Sequence, residues 1–448
     1  MDWISYRAIY RRNLSMAFPV IFSQVGQISV SLTDTLMVGR SGTADLAAAS
    51  LANSLFLVGM LFGIGLMMGL TPLVGYNFRN GNPSVIATHL QSGLVVGLLA
   101  AVVISGGLLV VSVLFGRMGQ SPDVLELAGP YLRLQIYSLV PLLLFYVFKQ
   151  FLEGMGNTRI AMLITLTANL INIGLNYLLI FGKAGFPEYG LYGAGLATLT
   201  SRIAMLLLLV PFLFRHHLLA PYVRLLPGFP ISRCRLHELV ALGLPIGGQL
   251  VVEVLSFSVA GIMCGWLGQD YLAAHQIALN LTSFSYMVSL GIGAGTTILV
   301  SHEKGSRHWH EIRQIVYATI HLVLVFMGVM ALCFVGLRHW LPSLFTPDKQ
   351  VIEIASQLLI VAALFQLFDG LQVSLLSILR GLADVKIPML LAFTAYILIG
   401  IPVSYLLGFV IGLGINGILI GLGAGLASAG ALFLWRLNRL SVFRRAGC

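Results

Sequence analysis

Three carboxylates in this 448-residue sequence stand where carboxylates are expensive: Asp34, Glu253 and Asp369 each lie inside a long apolar stretch. A charged side chain at the centre of a membrane span costs about 2.5–3.5 kcal/mol on insertion scales, so it is either tied to a neighbouring helix or put to use. In "LFQLFDGLQVSLLSILRG", residues 364–381, Asp369 has Gln366 and Gln372 three residues to either side. Gln249 precedes Glu253 by four residues and so shares its helix face. Asn280, Ser283 and Tyr286 form a polar stripe on a further apolar segment. Together these offer two carboxylates and several neutral oxygens. Such a set can hold a proton, a small cation such as Na+, or an organic cation bound by charge and by cation–π contact with Tyr286, Phe257 or Phe284. Asp34 has a polar counterpart in Thr165, Asn169, Asn172 and Asn176, spaced by three and four along one face. Interhelical hydrogen bonding is the other use open to every one of these residues. No basic residue except Arg202 is expected at matching depth to neutralise the acids.

The elements that must carry these groups follow from composition. The chain is 58% hydrophobic and 9% charged, against about 25% charged in soluble domains, and its mean hydropathy is +0.93. A span needs about 20 apolar residues. Twelve are predicted: 14–38, 46–74, 89–115, 127–148, 160–182, 190–214, 237–266, 271–300, 313–340, 351–378, 388–411 and 415–436. Their length demands helices, since membrane-barrel strands are about 10 residues with strict alternation. The fold class is an all-α polytopic membrane protein. The first apolar stretch, with its basic lead, exceeds a signal-peptide core. "ADLAAAS" at 44–50 contains an A-x-A-like pattern, but its Leu-Ala-Ala recurs as Leu272-Ala273-Ala274, where no leader is cleaved.

Lys and Arg orient the spans. Nineteen fall on the termini and even-numbered loops, including Lys149 and Arg380, and five on the odd-numbered loops: Arg40, Arg117, Lys183, Arg338 and Lys349. Both termini are therefore expected in the cytoplasm. This bias accounts for most of the net charge of +10, so a nucleic-acid partner is not needed. Pro141, Pro245 and Pro402 lie within spans as candidate kinks.

The chain also repeats itself. At an offset of 226 residues Pro19 falls on Pro245, Gly42 on Gly268, Gly65 on Gly291, Gly69 on Gly295, Thr71 on Thr297 and Val74 on Val300. At 227, "GMGNTRIAML" lies on "GLADVKIPML". Six spans per half is an even number, so the halves are parallel repeats related about the membrane normal. The predicted organisation is 1–213 (spans 1–6), a cytoplasmic linker at 214–236 and 237–448 (spans 7–12). Glu253 and Asp369 fall on Gln27 and Leu142, so the halves are not electrically equivalent.

Other chemistries find no footing. Cys234, Cys264, Cys333 and Cys448 form neither a C-x-x-C nor a spaced framework. His308 and His310 are two apart and do not share a helix face. "GLGINGI" fits a nucleotide-binding glycine pattern but follows no strand. No nucleophile–base pair or metal-ligand set lies at membrane depth, so an enzyme is not expected.

"FQLFDGLQV" followed by "LRGLADVKIP", the paired "LEGMGNTRIAM", "LAAHQIALN", and "AFPVIFSQ" with "GLPIGGQ" resemble the multidrug and toxic compound extrusion family, in its NorM-like bacterial branch, over nearly the whole chain. The resemblance implies two six-helix lobes and alternating access. It implies export of organic cations and other xenobiotics in exchange for Na+ or H+ across the bacterial inner membrane, with no cofactor. Glu253 and Asp369 match the family's cation-coupling carboxylates and would be the Na+ ligands; Asp34, Asn172 and Asn176 match its N-lobe cluster, and Tyr286 an aromatic position near the cation. Gln249, Asn280, Gln366 and Gln372 are further ligand or substrate-contact candidates. Phe365 stands where some relatives have Tyr, which removes one oxygen, and Asn176 stands where another branch has Asp, which points to the C-lobe as the coupling site. One monovalent cation entering through 100 mV releases about 2.3 kcal/mol and a pH unit adds about 1.4 kcal/mol for a proton, enough for a drug gradient of roughly 10²- to 10³-fold without ATP. A monomer working among membrane lipids is expected. The alternative is a lipid-linked oligosaccharide flippase of the same superfamily, which would need more cationic residues to meet a pyrophosphate.

Overall fold

The computed structural model describes residues 3–113, 122–216, 219–228 and 230–440. Arg117, Cys448 and the end of the predicted 89–115 span lie outside the described residues. Among those described, twelve helices are long and apolar enough to cross a membrane: α1 Tyr6–Ser41, α2 Thr43–Arg79, α3 Pro83–Val113, α4 Pro122–Gly154, α5 Arg159–Ile180, α6 Gly190–Arg215, α7 Arg233–Leu267, α8 Gln269–Gly305, α9 Trp309–Gly336, α10 Lys349–Gly381, α11 Lys386–Val410 and α12 Gly414–Arg439. Large apolar side chains face outward on them, as Val103, Val110 and Leu332 do at 71%, 69% and 76% exposure. In water that would be costly; in lipid tails it is neutral. Several helices run past the hydrocarbon length the sequence suggests. Lys149 and Arg380, counted above with the loops, lie instead inside α4, more than a turn before its end, and on the last turn of α10, and both are buried.

The chain forms two compact units, and their boundaries differ from those expected at the 214–236 linker. One unit comprises Met1–Ile21 with Gly248–Cys448, the other Phe22–Gly247. α1 and α7 are each divided between units, close to Pro19 and Pro245. The cause is glycine on α2 and α8. A methyl group on Gly295 of α8 would lie 3.0 Å from Ala17 N, and one on Gly69 of α2 would lie 2.8 Å from Gly243 N. Ala17 and Gly243 are themselves 226 residues apart. The same glycine seat, used once in each repeat, thus receives the first half of the other repeat's opening helix. Asn13 of α1 adds hydrogen bonds to Thr296 (3.1 Å) and Thr319 (3.0 Å).

Within the first unit α10 packs between α8, α9 and α12; within the second, α4 packs against α2, α3 and α6. α4 and α10 are repeat equivalents, and their ends are built alike. A methyl group at Gly154 would meet Val74 Cβ at 2.8 Å and the Thr71 carbonyl at 3.0 Å; at Gly381 it would meet Val300 Cβ and the Thr297 carbonyl, both at 2.9 Å. The turns that follow repeat as well, with Gly156 N bonded to Glu153 O and Ala383 N bonded to Arg380 O, each at 2.8 Å. Gly156 and Ala383 both sit at positive φ, 87° and 59°. α11 contains two π-helical stretches, Thr394–Gly400 and Leu406–Val410, on either side of Pro402. Pro402 lacks the N–H that a regular α-helix would use, and the wider turns absorb the gap. Pro141 and Pro245 lie inside continuous helices.

Candidate cation site

Glu253 is 5% exposed on α7, although nothing in its own segment can neutralise it. Both its oxygens are engaged. Tyr286 of α8 donates its hydroxyl to Oε1 at 2.9 Å, and Gln249 donates Nε2 to Oε2 at 3.0 Å. The 249/253 spacing, one helical turn, makes the second contact a local consequence of sequence. The first needs two helices. Gln249 is fixed in turn, because Arg380 of α10 donates to its Oε1. That carbonyl is therefore committed, and Gln249 serves Glu253 as a donor.

Asp369, also 5% exposed, lies mid-way along α10 within electrostatic reach of Glu253. Gln372 donates to its Oδ1 at 3.2 Å, and Tyr396 of α11 donates to Gln372 Oε1 at 2.8 Å. Tyr396 belongs to the first π-helical stretch of α11, a geometry that widens the turn and is frequent at functional sites. It also borders a small cleft with Ser256, Phe257 and Gly425. The unit thus joins two buried carboxylates, two glutamines, two tyrosines and one arginine.

Not every residue of the polar stripes arrives there. Gln366 points elsewhere: it accepts from Ser285 at 2.9 Å and donates to the Met327 carbonyl. Ser283 bonds the Leu279 carbonyl of its own helix, Asn280 is exposed, and Phe284 is 46% exposed. Phe365 is buried against Gly423 of α12.

The second unit holds its own cluster. Asn176 donates to Asp34 and, at 3.2 Å, to Asn172 Oδ1; Asn172 donates to Ser201 at 3.4 Å. Arg202 faces Asp34 electrostatically, donates to Ser138 and stacks 5.1 Å from the Phe56 ring. The amide nitrogen of Asn169 and the hydroxyl of Thr165 are buried there without hydrogen-bond partners.

Four participants escape a sequence reading. Arg380 and Tyr396 belong to the Glu253–Asp369 region. Lys149 and Glu153, each 5% exposed, face one another on α4 at 4.0 Å, with the Lys149 ammonium 4.8 Å from the Tyr146 ring. Contrary to the expectation that only Arg202 lies deep enough to neutralise an acid, Lys149 and Arg380 are also buried within the helices among the described residues. Only the four-residue Lys149/Glu153 spacing signals such a role in sequence. At a span's end, hydropathy alone does not separate a charge turned into the bundle from one that reaches the headgroups.

Comparison with known proteins adds the family. The MatE family profile matches residues 19–178 and 245–406, one stretch in each repeat. "Probable multidrug resistance protein NorM" of Rhizobium meliloti (strain 1021) is 34% identical over 445 residues, covering 97% of this chain and 94% of its own length. The protein of the same name from Rhodopseudomonas palustris is 36% identical over 441 residues, covering 98% and 93%. Among solved structures, the eukaryotic MATE transporter AtDTX14 superposes with a TM-score of 0.88 at 20% identity, over 98% of both chains. The twelve-helix fold is that of the MATE transporters.

Proposed function

The chain belongs to the MatE family of membrane transporters, and we propose that it is a multidrug efflux protein exporting organic cations in exchange for Na+ or H+ by alternating access. Relatives named as multidrug resistance proteins, 34% and 36% identical over nearly the full length, support the efflux reading. The ion-coupling reading rests on the structure. Its carrying observation is that Glu253 and Asp369, both buried, sit in one unit with mostly neutral hydrogen-bond donors around them. Neutral donors orient a carboxylate without cancelling its charge, so the charge stays available to a cation.

A buried carboxylate can be neutralised by a proton, by Na+ or by the drug cation. Competition among these for one pair of acids gives exchange, provided ion and drug favour opposite-facing states, because only differential affinity shifts a conformational equilibrium. Glu253 and Asp369 are the proposed coupling acids and Na+ ligands; Asp34, Asn172 and Asn176 form a second polar cluster able to take part. No cofactor enters the cycle. We place the chain in the bacterial inner membrane, working as a monomer with both termini cytoplasmic. The flippase alternative has less support, since the buried cations Lys149 and Arg380 already face acceptors in Glu153 and Gln249.

The test is ethidium transport by the purified protein in proteoliposomes, under separately imposed Na+ and pH gradients. Transport driven by one gradient and abolished when it is collapsed is the expected result. Ethidium movement indifferent to both gradients would refute ion antiport.

A further inference from the structure

Arg380 stands one amide away from the carboxylate it would otherwise neutralise. Its guanidinium, 5% exposed, donates to Gln249 Oε1, while the amide nitrogen of the same Gln249 donates to Glu253 Oε2 at 3.0 Å. Gln249 itself is 2% exposed. A guanidinium only donates and a carboxylate only accepts, so the amide between them has a single orientation that satisfies both. Arg380 also keeps a buried Nε–H that has no hydrogen-bond partner. It is anchored on one side and held off Glu253 on the other.

The fold does not require a cation at this position. Arg380 is the repeat equivalent of Glu153. Both sit on the last turn of their helix, both precede a glycine pressed on the same Val and Thr pair, and both give their carbonyl to the same turn. One repeat places a negative charge there and the other a positive one, on the same backbone. The arginine is paired with the site: Glu253 occurs only in its repeat, and the position equivalent to Glu253 in the other repeat is Gln27.

We propose that Arg380 is a positioning residue that sets the capacity of the cation site at a single positive charge, and so selects monovalent organic cations and a one-for-one exchange with the coupling ion. This rests on the antiport reading above and deepens it. The charged groups facing the site are Glu253, Asp369 and Arg380; Tyr286 and Tyr396 contribute neutral hydroxyls. Nearby charges at the same end of the unit are engaged elsewhere. Asp384 is matched by Arg436 at 2.7 Å, Lys304 donates to the Leu382 carbonyl at 2.6 Å, and Glu303 is matched by Arg12. With both carboxylates ionised the site carries one net negative charge. One monovalent cation, drug or ion, brings it to neutrality. A second would leave an unpaired positive charge in a low-dielectric interior, which is strongly opposed. Exchange of one such ion for one monocationic drug moves no net charge across the membrane, so the energy an entering ion gains from the potential is cancelled by the departing drug cation and the ion's concentration gradient alone drives export.

The experiment measures final ethidium ratios across proteoliposomes at fixed Na+ or H+ gradients, with the membrane potential clamped by K+ and valinomycin. The unmodified protein should show one ion per ethidium and no dependence on potential. Arg380→Gln removes the fixed positive charge, and Gln249→Glu adds a negative one with Arg380 in place. Each should admit a second cation, so that about 60 mV shifts the ethidium ratio roughly tenfold. Each should also gain transport of the dication methyl viologen, whereas Arg380→Lys should behave as the unmodified protein. Two ions per ethidium in the unmodified protein overturns the inference alone, as does an unchanged ratio in both charge variants. Ethidium indifferent to either gradient overturns it together with the antiport reading. If Arg380→Gln does not fold, Gln249→Glu and the ratio of the unmodified protein decide.

Discussion

Tyr286 donates its phenolic hydrogen to Glu253 across 2.9 Å, on the carboxylate oxygen that Gln249 leaves free. The contact joins α8 to α7 and stabilises the ionised carboxylate while the site is empty. Hydrogen bonds to charged groups are worth about 1.5–3 kcal/mol. Tyr286→Phe keeps the ring and removes the donor. The bare carboxylate should then hold its cation more tightly. The half-saturating ion concentration of efflux is expected to fall by about tenfold or more, with a lower maximal rate because release slows. An increase in that concentration would instead make the Tyr286 oxygen a direct ligand.

Asp369→Asn and Glu253→Gln keep size and remove charge. If the two acids serve one cation, each single variant should lose ion-driven efflux almost completely, and the double variant should lose little more. Residues that share a ligand are non-additive. Initial rates in vesicles, normalised to folded protein, decide the matter. Two partial losses that add would mean two independent interhelical hydrogen bonds.

Gly154 and Gly381 should respond alike to a methyl group, because each is pressed on the same Val and Thr pair of its own repeat. Overpacking of this kind costs about 1–3 kcal/mol. Gly154→Ala and Gly381→Ala are expected to lower the melting temperature in detergent by similar amounts. Gly328→Ala, on α9 with open space around it, should leave it unchanged. A Gly328 effect as large as the others would remove the packing explanation.

A fluorescent-protein fusion after Cys448 should fluoresce, and an alkaline phosphatase fusion there should be inactive, if the C-terminus is cytoplasmic. The expectation rests on nineteen Lys and Arg on one set of loops against five on the other. The reverse pattern of activity would invert the topology.

The sequence by itself determined the number of helices, their pairing into two repeats and the three carboxylates, Asp34, Glu253 and Asp369, that stand in mid-span. These are local or periodic properties. A run of about 20 apolar residues can only be a span, and a carboxylate within it is visible without knowing its neighbours. The Glu253–Gln249 contact was legible for the same reason, being one helical turn on one face. Tertiary structure alone decided what lies across helices. It joined Tyr286 to Glu253 and turned Gln366 away from Asp369 toward Ser285. It divided α1 and α7 between two units, because glycines on α2 and α8 let a backbone approach more closely than any side chain allows. It also took Arg380 and Lys149 out of the loops. Hydropathy measures transfer from water to lipid, and a charge at a helix end satisfies it equally by reaching the headgroups or by finding an acceptor inside the bundle. Which of the two occurs depends on the facing helix, and for Arg380 that helix is α7 with Gln249.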